Sequence, residues 1–217
     1  MEQTAVKRRR LPAAERRQQI IDAVIEVASE RGIPGTTVAR VAETAGIGIG
    51  TVYRHFTDQK DMLRAAVESI ATNFTSIAMD RNVDSAVEHI REMARLRTEL
   101  TSANGGRIAR LWLEFATASP QIGLQDVLIE TQQRALKAVQ DVCEFGVKQG
   151  TIRADVDLPL LTYMIVEQAW GADLSILLGM PGYLGRDAPT DALDRLLSEI
   201  AVDPDFERKG PAEVPTL

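Results

Sequence analysis

The 217-residue sequence predicts an all-α protein, and three observations carry that reading. Apolar side chains recur at i, i+3, i+4 and i+7 through the long segments, the period of a helix with one buried face. No segment sustains the apolar–polar alternation of a strand, and no internal repeat is visible. Glycine and proline interrupt the helical stretches at Asn104-Gly105-Gly106, Ser119-Pro120, Gly150 and across 179–189. With 45% apolar residues the chain can fill a core, and its length allows one large or two modest domains.

The elements follow in order. Residues 1–13 hold Lys7-Arg8-Arg9-Arg10 and no apolar periodicity, which predicts a mobile basic arm: a solvated tail, or one that follows a nucleic-acid backbone or minor groove. Pro12 suits a first helical turn, and Ile20, Ile21, Val24, Ile25, Val27 and Ala28 form the face of a scaffold helix ending at Gly32. That helix should pack across the elements that follow and present Arg16 or Arg17 beside them.

Residues 36–56, TTVARVAETAGIGIGTVYRHF, then read as two short helices around a tight turn. Val38, Val41, Ala42 and Ala45 share one face, and Thr36 or Thr37 can cap its start. Gly46 supplies the left-handed residue that stops this helix, and Ile47 can fold back on it. A second helix over 49–56 turns Val52 and Phe56 inward and leaves Ile49, Thr51, Tyr53, Arg54 and His55 outside, side chains suited to phosphates and base edges. This is the pattern of a helix-turn-helix with its recognition helix at 49–56. Asp58 and Asp61 have the spacing of a capping box, so a longer helix begins near residue 58 and runs to about 79 on Met62, Leu63, Ala66, Val67, Ile70, Phe74 and Ile77. Further helices are predicted over 83–100, 106–117, 121–149, 158–179 and 190–201, and residues 203–217, with three prolines, read as a disordered tail.

Charge divides the chain in the same way. Residues 1–60 carry ten Lys/Arg against seven Asp/Glu, a balance of +3, while the remainder carries fifteen against twenty-four, a balance of −9. A basic front on an acidic body fits a DNA-reading head joined to a body that contacts something else.

Residues 20–63, IIDAVIEVASERGIPGTTVARVAETAGIGIGTVYRHFTDQKDML, closely resemble the N-terminal domain of the TetR/AcrR family of transcriptional regulators. The Thr-Thr pair, the Ala-Gly-Ile turn, Gly50-Thr51 and Tyr53-Arg54-His55-Phe56 stand in the family's order and spacing. Two positions depart from it: Gly48 replaces a frequent Ser, removing a side-chain N-cap, and Gln59 stands where Lys is usual, with Lys60 one place later. The resemblance implies a three-helix helix-turn-helix domain over 14–74 and an antiparallel helical ligand-binding and dimerisation domain over 75–202. It implies DNA contacts from Thr37, Gly48, Ile49, Gly50, Thr51, Tyr53, Arg54, His55 and Lys60. Ile49, Thr51 and Arg54 are the candidates for base edges, and Thr37, Thr51, Tyr53, His55 and Lys60 mainly for phosphates.

Within the body, Phe74, Met93, Leu96, Trp112, Phe115, Val139, Phe145, Tyr163 and Trp170 are large or soft apolar residues on helices. Each alone reads as core. The resemblance makes Phe74, Met93, Trp112, Phe115, Val139, Tyr163 and Trp170 the candidate lining of a pocket for a small, mainly apolar organic effector. The acids Glu114, Glu167 and Asp173 are expected to face solvent. Small residues Ala169, Gly171 and Ala172, and the stripe Leu193, Leu196, Leu197 and Ile200, mark the last two helices for close packing, either within the body or, as the resemblance implies, in a four-helix homodimer interface.

Catalysis is the competing class, and the sequence speaks against it. The GIGIG run at 46–50 follows a helix and lacks the third glycine of a dinucleotide loop. Two histidines, His55 and His89, and one cysteine, Cys143, are too few for a histidine- or thiolate-rich metal site and give no sign of a Cys/His nucleophile pair, and a lone cysteine forms no intrachain disulfide. No cofactor, metal or membrane partner is expected: the apolar runs fall short of the ~20 residues a span needs, nothing reads as a secretory signal, and a cytoplasmic location follows. What the resemblance implies is a homodimeric repressor that binds a double-stranded DNA operator and is released from it by the effector. A ligand-independent or architectural DNA binder is the alternative.

Overall fold

The computed structural model describes residues 11–78, 84–180 and 188–203. The basic run 7–10 and the residues beyond 203, read above as a mobile arm and a disordered tail, lie outside them. Among the described residues eight helices follow in order: α1 (Ala13–Gly35), α2 (Val38–Thr44), α3 (Ile49–Val52), α4 (Gln59–Ala78), α5 (Ala86–Ile122), α6 (Gln125–Gln149), α7 (Leu158–Leu177) and α8 (Ala188–Ile200). Among the described residues the only strand-like pairing is one antiparallel bridge, Ile152 to Ala201. The chain forms two compact units, Met1–Ala66 and Val67–Leu217. The sequence reading put the boundary at 74/75. The division falls inside α4, along which Met62, Leu63, Ala66, Val67, Ile70 and Ala71 are all buried.

In the first unit, the regular part of α1 stops at Gly32, whose φ of 72° is left-handed. Of the expected face Ile20, Ile21, Val24, Val27 and Ala28 are buried, while Ile25 is half-buried. Thr37 is the N-cap of α2, accepting from the Arg40 amide, and Thr36 is buried with its hydroxyl donating to the Gly32 carbonyl at 2.9 Å. Asp58 caps α4 by accepting from the Asp61 amide at 2.8 Å. The Asp61 carboxylate reaches back one residue further than a standard capping box, accepting from the Thr57 amide at 3.0 Å.

In the second unit, α5, α6, α7 and α8 bury one apolar cluster that includes Val87, Ile90, Val142, Cys143, Leu161, Leu193 and Leu197. α5 is interrupted where the sequence predicts a break: Gly105 and Gly106 have φ of 69° and 74°. Ser119-Pro120 does not break it. Pro120 lacks the amide that would bond to the Ala116 carbonyl, the Ser119 hydroxyl donates to that carbonyl at 3.3 Å, and the helix runs on to Gly123 at φ 68°. α6 ends at Gly150, also left-handed, as expected.

Of the two readings of the stripe Leu193, Leu196, Leu197 and Ile200, packing within the body is the one found: Leu193, Leu197 and Ile200 are buried in the body's own core, with Leu196 half-buried beside them, and do not form the dimer face that the resemblance implied. A salt bridge between Arg91 and Asp194 at 2.7 Å, nearly enclosed, adds to the α5–α8 contact, and the Arg153 amide donates to the Ile200 carbonyl to tie down the helix end.

Gly146 marks the tightest approach in this unit: a Cβ there would stand 2.6 Å from the Ile152 Cδ1 and 2.8 Å from the Ala86 Cβ. Gly146→Ala is therefore expected to destabilise the body by about 1–3 kcal/mol through overpacking, read as a lower urea midpoint at unchanged slope. Cys143 offers a second check. Its side chain is enclosed, and burial pushes the thiol up to about 11, so the reactive thiolate is scarce at pH 8. Ellman's reagent should leave the native protein unmodified and titrate one thiol in denaturant. Rapid reaction of the native protein would show that the core around α6 opens.

Two candidate sites

The first candidate site is built by a turn. Residues Ala42 to Ile47 close a Schellman motif: the Ile47 amide donates to the Ala42 carbonyl at 2.9 Å and the Gly46 amide to the Glu43 carbonyl at 3.0 Å, with Gly46 at φ 64°. Gln19 of α1 donates to the Ala45 carbonyl at 2.8 Å and accepts from Arg16 at 2.6 Å. One glutamine thus fixes both the turn and the orientation of a cation beside it. Sequence periodicity gave no sign of this, because Gln19 lies off the apolar face. Arg17 behaves differently: its guanidinium lies 4.8 Å from the centre of the buried Phe56 ring, a cation–π lid on the core. Of the two arginines, Arg16 is the one that borders an open concavity with Gly46, Gly48, Thr51, Arg54 and His55.

α3 is shorter than the sequence suggests. Regular helix covers Ile49–Val52, and 53–56 continue through bonds of mixed span, Arg54 to Thr51 and His55 to Val52 at i−3 and Phe56 to Val52 at i−4. Such tightening satisfies end carbonyls without another full turn. Val52 and Phe56 are buried as expected, while Ile49 and Tyr53 are about half exposed. Arg54 is exposed, with its Nη2 donating to the Thr51 hydroxyl at 2.9 Å, which pre-orients the guanidinium along its own helix and leaves its other donors outward. Gly48 and Gly50 have open space where a Cβ would be, so a partner can approach the backbone there. Thr37 is exposed at the start of α2 and His55 is half-buried. In the first turn of α4, Lys60 is exposed and Gln59 half-buried, so Lys60 is the cation that reaches solvent.

The second candidate site is a cavity of about 120 Å³ inside the body. Phe74, Met93, Trp112, Val139 and Trp170, expected to line a pocket, are brought together on its wall. Two residues on that list are not. Phe115 is fully buried and does not reach the cavity: it lies three residues beyond Trp112 but on the side of α5 that meets the core. Tyr163 is 55% exposed on the outer side of α7. The three cavity rings form a corner. Phe74 meets Trp112 edge-on with centroids 6.2 Å apart, and Trp170 is tilted at 43° to Trp112 at 6.0 Å.

Arg97 is the one charged residue on this wall among the described residues. Its fork clasps both oxygens of Asp173, with Nη1 at 3.0 Å from Oδ1 and also 3.0 Å from the Ala169 carbonyl, and its guanidinium stands 5.2 Å from the centre of the Phe74 ring. Asp173, expected to face solvent, is wholly buried behind Arg97. The expectation rested on the general exposure of acidic side chains. What it lacked was the partner 76 residues away that neutralises it. Glu167 is exposed as expected, and Glu114 is half-buried.

Residues 20–66 match the family model described as bacterial regulatory proteins, tetR family. The chain is 26% identical over 162 residues to the HTH-type transcriptional repressor KstR2 of Mycolicibacterium smegmatis, which covers 72% of this chain and 77% of that one. It is 32% identical over 110 residues to the HTH-type transcriptional regulator BetI of Burkholderia lata, covering 48% of this chain and 55% of that protein. Among solved structures, the transcriptional regulator FadR of Bacillus subtilis in complex with stearoyl-CoA is similar with a TM-score of 0.64 at 21% identity, over 83% of this chain and 95% of that chain. That likeness is one of fold. No helix among the described residues is long and apolar enough to cross a membrane.

Proposed function

We propose that this chain, which belongs to the TetR family of transcriptional regulators, is a ligand-released repressor that binds a two-half-site operator as a homodimer. The observation that carries the reading is the pairing, in one chain, of an exposed Ile49–Tyr53–Arg54 face behind a rigid turn with a separate, aromatic-walled cavity. A ligand-independent DNA binder needs the first and has no use for the second.

Each α3 enters a major groove, and the dimer axis relates the half-sites. Arg54 and Ile49 face base edges. Thr37, Thr51, Tyr53, His55 and Lys60, joined by Arg16, hold phosphates and set the register. An effector in the cavity favours a state whose two heads no longer match the operator. Its influence equals its differential affinity for the two states.

Selection from a random DNA pool would supply the operator, and anisotropy titrations would test the roles. Affinity should fall log-linearly with salt as counterions are released. Arg54→Ala should weaken operator binding by about 1–3 kcal/mol and relax specificity at one position per half-site. An equal loss on operator and random DNA would assign Arg54 to phosphate alone. Both tryptophans of the chain line the cavity, so quenching of intrinsic emission reports ligand entry directly. Trp112→Ala should then reduce ligand affinity while leaving ligand-free operator binding nearly intact. A compound that quenches without altering operator affinity at any concentration would remove the release model.

A further inference from the structure

The cavity wall has a charge balance that restricts what enters it. Arg97 contributes the only charged group on that wall among the described residues, and its positive charge is already matched by Asp173, 0% exposed behind it. A ligand carboxylate or phosphate at Arg97 would have to take the fork from Asp173, leaving a buried carboxylate unpaired, or sit beside that carboxylate as a second negative charge. A ligand cation fares no better, because no acid lines the wall to receive it. Either ion loses its hydration without a new counter-charge.

Neutral polar atoms find partners. The side-chain amide of Gln132 on the wall has no hydrogen bond among the described residues, and the Arg97 Nε–H is likewise unused there. A single carbonyl oxygen can accept from such donors at no cost in charge. The remaining wall selects shape. Phe74, Trp112 and Trp170 stand at 90° and 43° to one another, leaving ring edges and faces for a further flat ring in edge-to-face or offset contact.

Building on the effector role given to the cavity above, we propose that it takes an uncharged, flat aromatic molecule bearing a carbonyl-type acceptor, and that the closed Arg97–Asp173 pair is the element that rejects ionised analogues.

A matched series tests this by calorimetry on the full chain at pH 7.5: 2-acetonaphthone, neutral with one acceptor; 2-naphthoate, the corresponding anion; and 2-(aminomethyl)naphthalene, the corresponding cation. The ketone should bind at least tenfold more tightly than either ion, and Ala135→Trp, which fills the cavity, should abolish its binding. Asp173→Asn leaves the Arg97 charge unmatched at nearly constant shape and should improve naphthoate binding at least tenfold. Should that variant fail to fold, the wild-type ranking alone decides. Equal or tighter binding of either ion to the wild type, no binding of any of the three, or ketone binding that survives Ala135→Trp overturns the proposal. In the folded Asp173→Asn variant, an unchanged ranking overturns the role given to the ion pair. Operator anisotropy with each compound keeps the two readings apart. Naphthoate that binds best and releases DNA defeats this inference and leaves the repressor intact, whereas the predicted ranking with unchanged DNA affinity does the reverse.

Discussion

Arg97→Ala is expected to destabilise the body by about 3–5 kcal/mol, a large fraction of the roughly 5–15 kcal/mol that holds a typical domain folded. The substitution removes the only counter-charge that the described residues give the Asp173 carboxylate, which is 0% exposed. It also removes the donor to the Ala169 carbonyl and the cation over Phe74, contacts through which one side chain of α5 holds α7 and α4 together. The measurement is urea unfolding followed by tryptophan emission, since Trp112 and Trp170 both belong to the body and report on it alone. A double replacement separates the two contributions to the loss. Arg97→Met with Asp173→Leu deletes both charges and keeps volume, so it should recover much of the stability lost by Arg97→Ala, because the penalty lies in the abandoned charge more than in the absent bond. A loss below about 1 kcal/mol for Arg97→Ala would mean that Asp173 finds water or another donor, and the closed-pair account of the cavity would fall with it.

The same pair shows where reading the sequence stops. Local chemistry was legible: Gly32, Gly46, Gly105, Gly106 and Gly150 all adopt the left-handed φ that their positions after apolar periods require, and Thr37 caps α2. The head was legible almost residue by residue, because its helices are short and each exposes one face. Val41, Val52 and Phe56 are buried while Ile49, Tyr53 and Arg54 are out. In the body, periodicity shows which residues share a side of a helix but not which neighbour covers that side. Phe115 and Trp112 both point inward, yet only Trp112 reaches the cavity. Tyr163 shares a helix with Val166 and Trp170, and faces away from both the core and the cavity. Asp173 and Gln19 depend on partners 76 and 26 residues distant, and no local rule supplies those.

That limit also determines how the dimer is to be tested. The sequence left the stripe on α8 open between core and interface because nothing local says what covers it, and Leu193 and Leu197 are core. Among the described residues an exposed apolar side lies along α7, where Leu160, Tyr163, Met164, Leu174 and, just past its end, Leu178 are between 44% and 62% exposed. Together with Glu167 and Gly171 they recur at spacings of three and four, a seam along one side of the helix, and open space surrounds the position of a Cβ at Gly171, so a partner backbone can come close. Burial of each large side chain is worth roughly 1.5–3 kcal/mol, enough in sum for a stable pair. Tyr163→Glu combined with Leu174→Glu would place four unpaired charges in a two-fold interface, since each copy contributes to both sides. The expected result is a monomer at micromolar concentration by light scattering after gel filtration, with unchanged helical circular dichroism. Operator affinity should fall by several orders of magnitude, because two half-sites are no longer held by one particle. Leu197→Glu is the contrasting case. It buries its charge inside a single chain and should unfold the body instead of separating two folded ones. A monomeric wild type, or a Tyr163→Glu/Leu174→Glu variant that remains dimeric, would remove α7 from the interface.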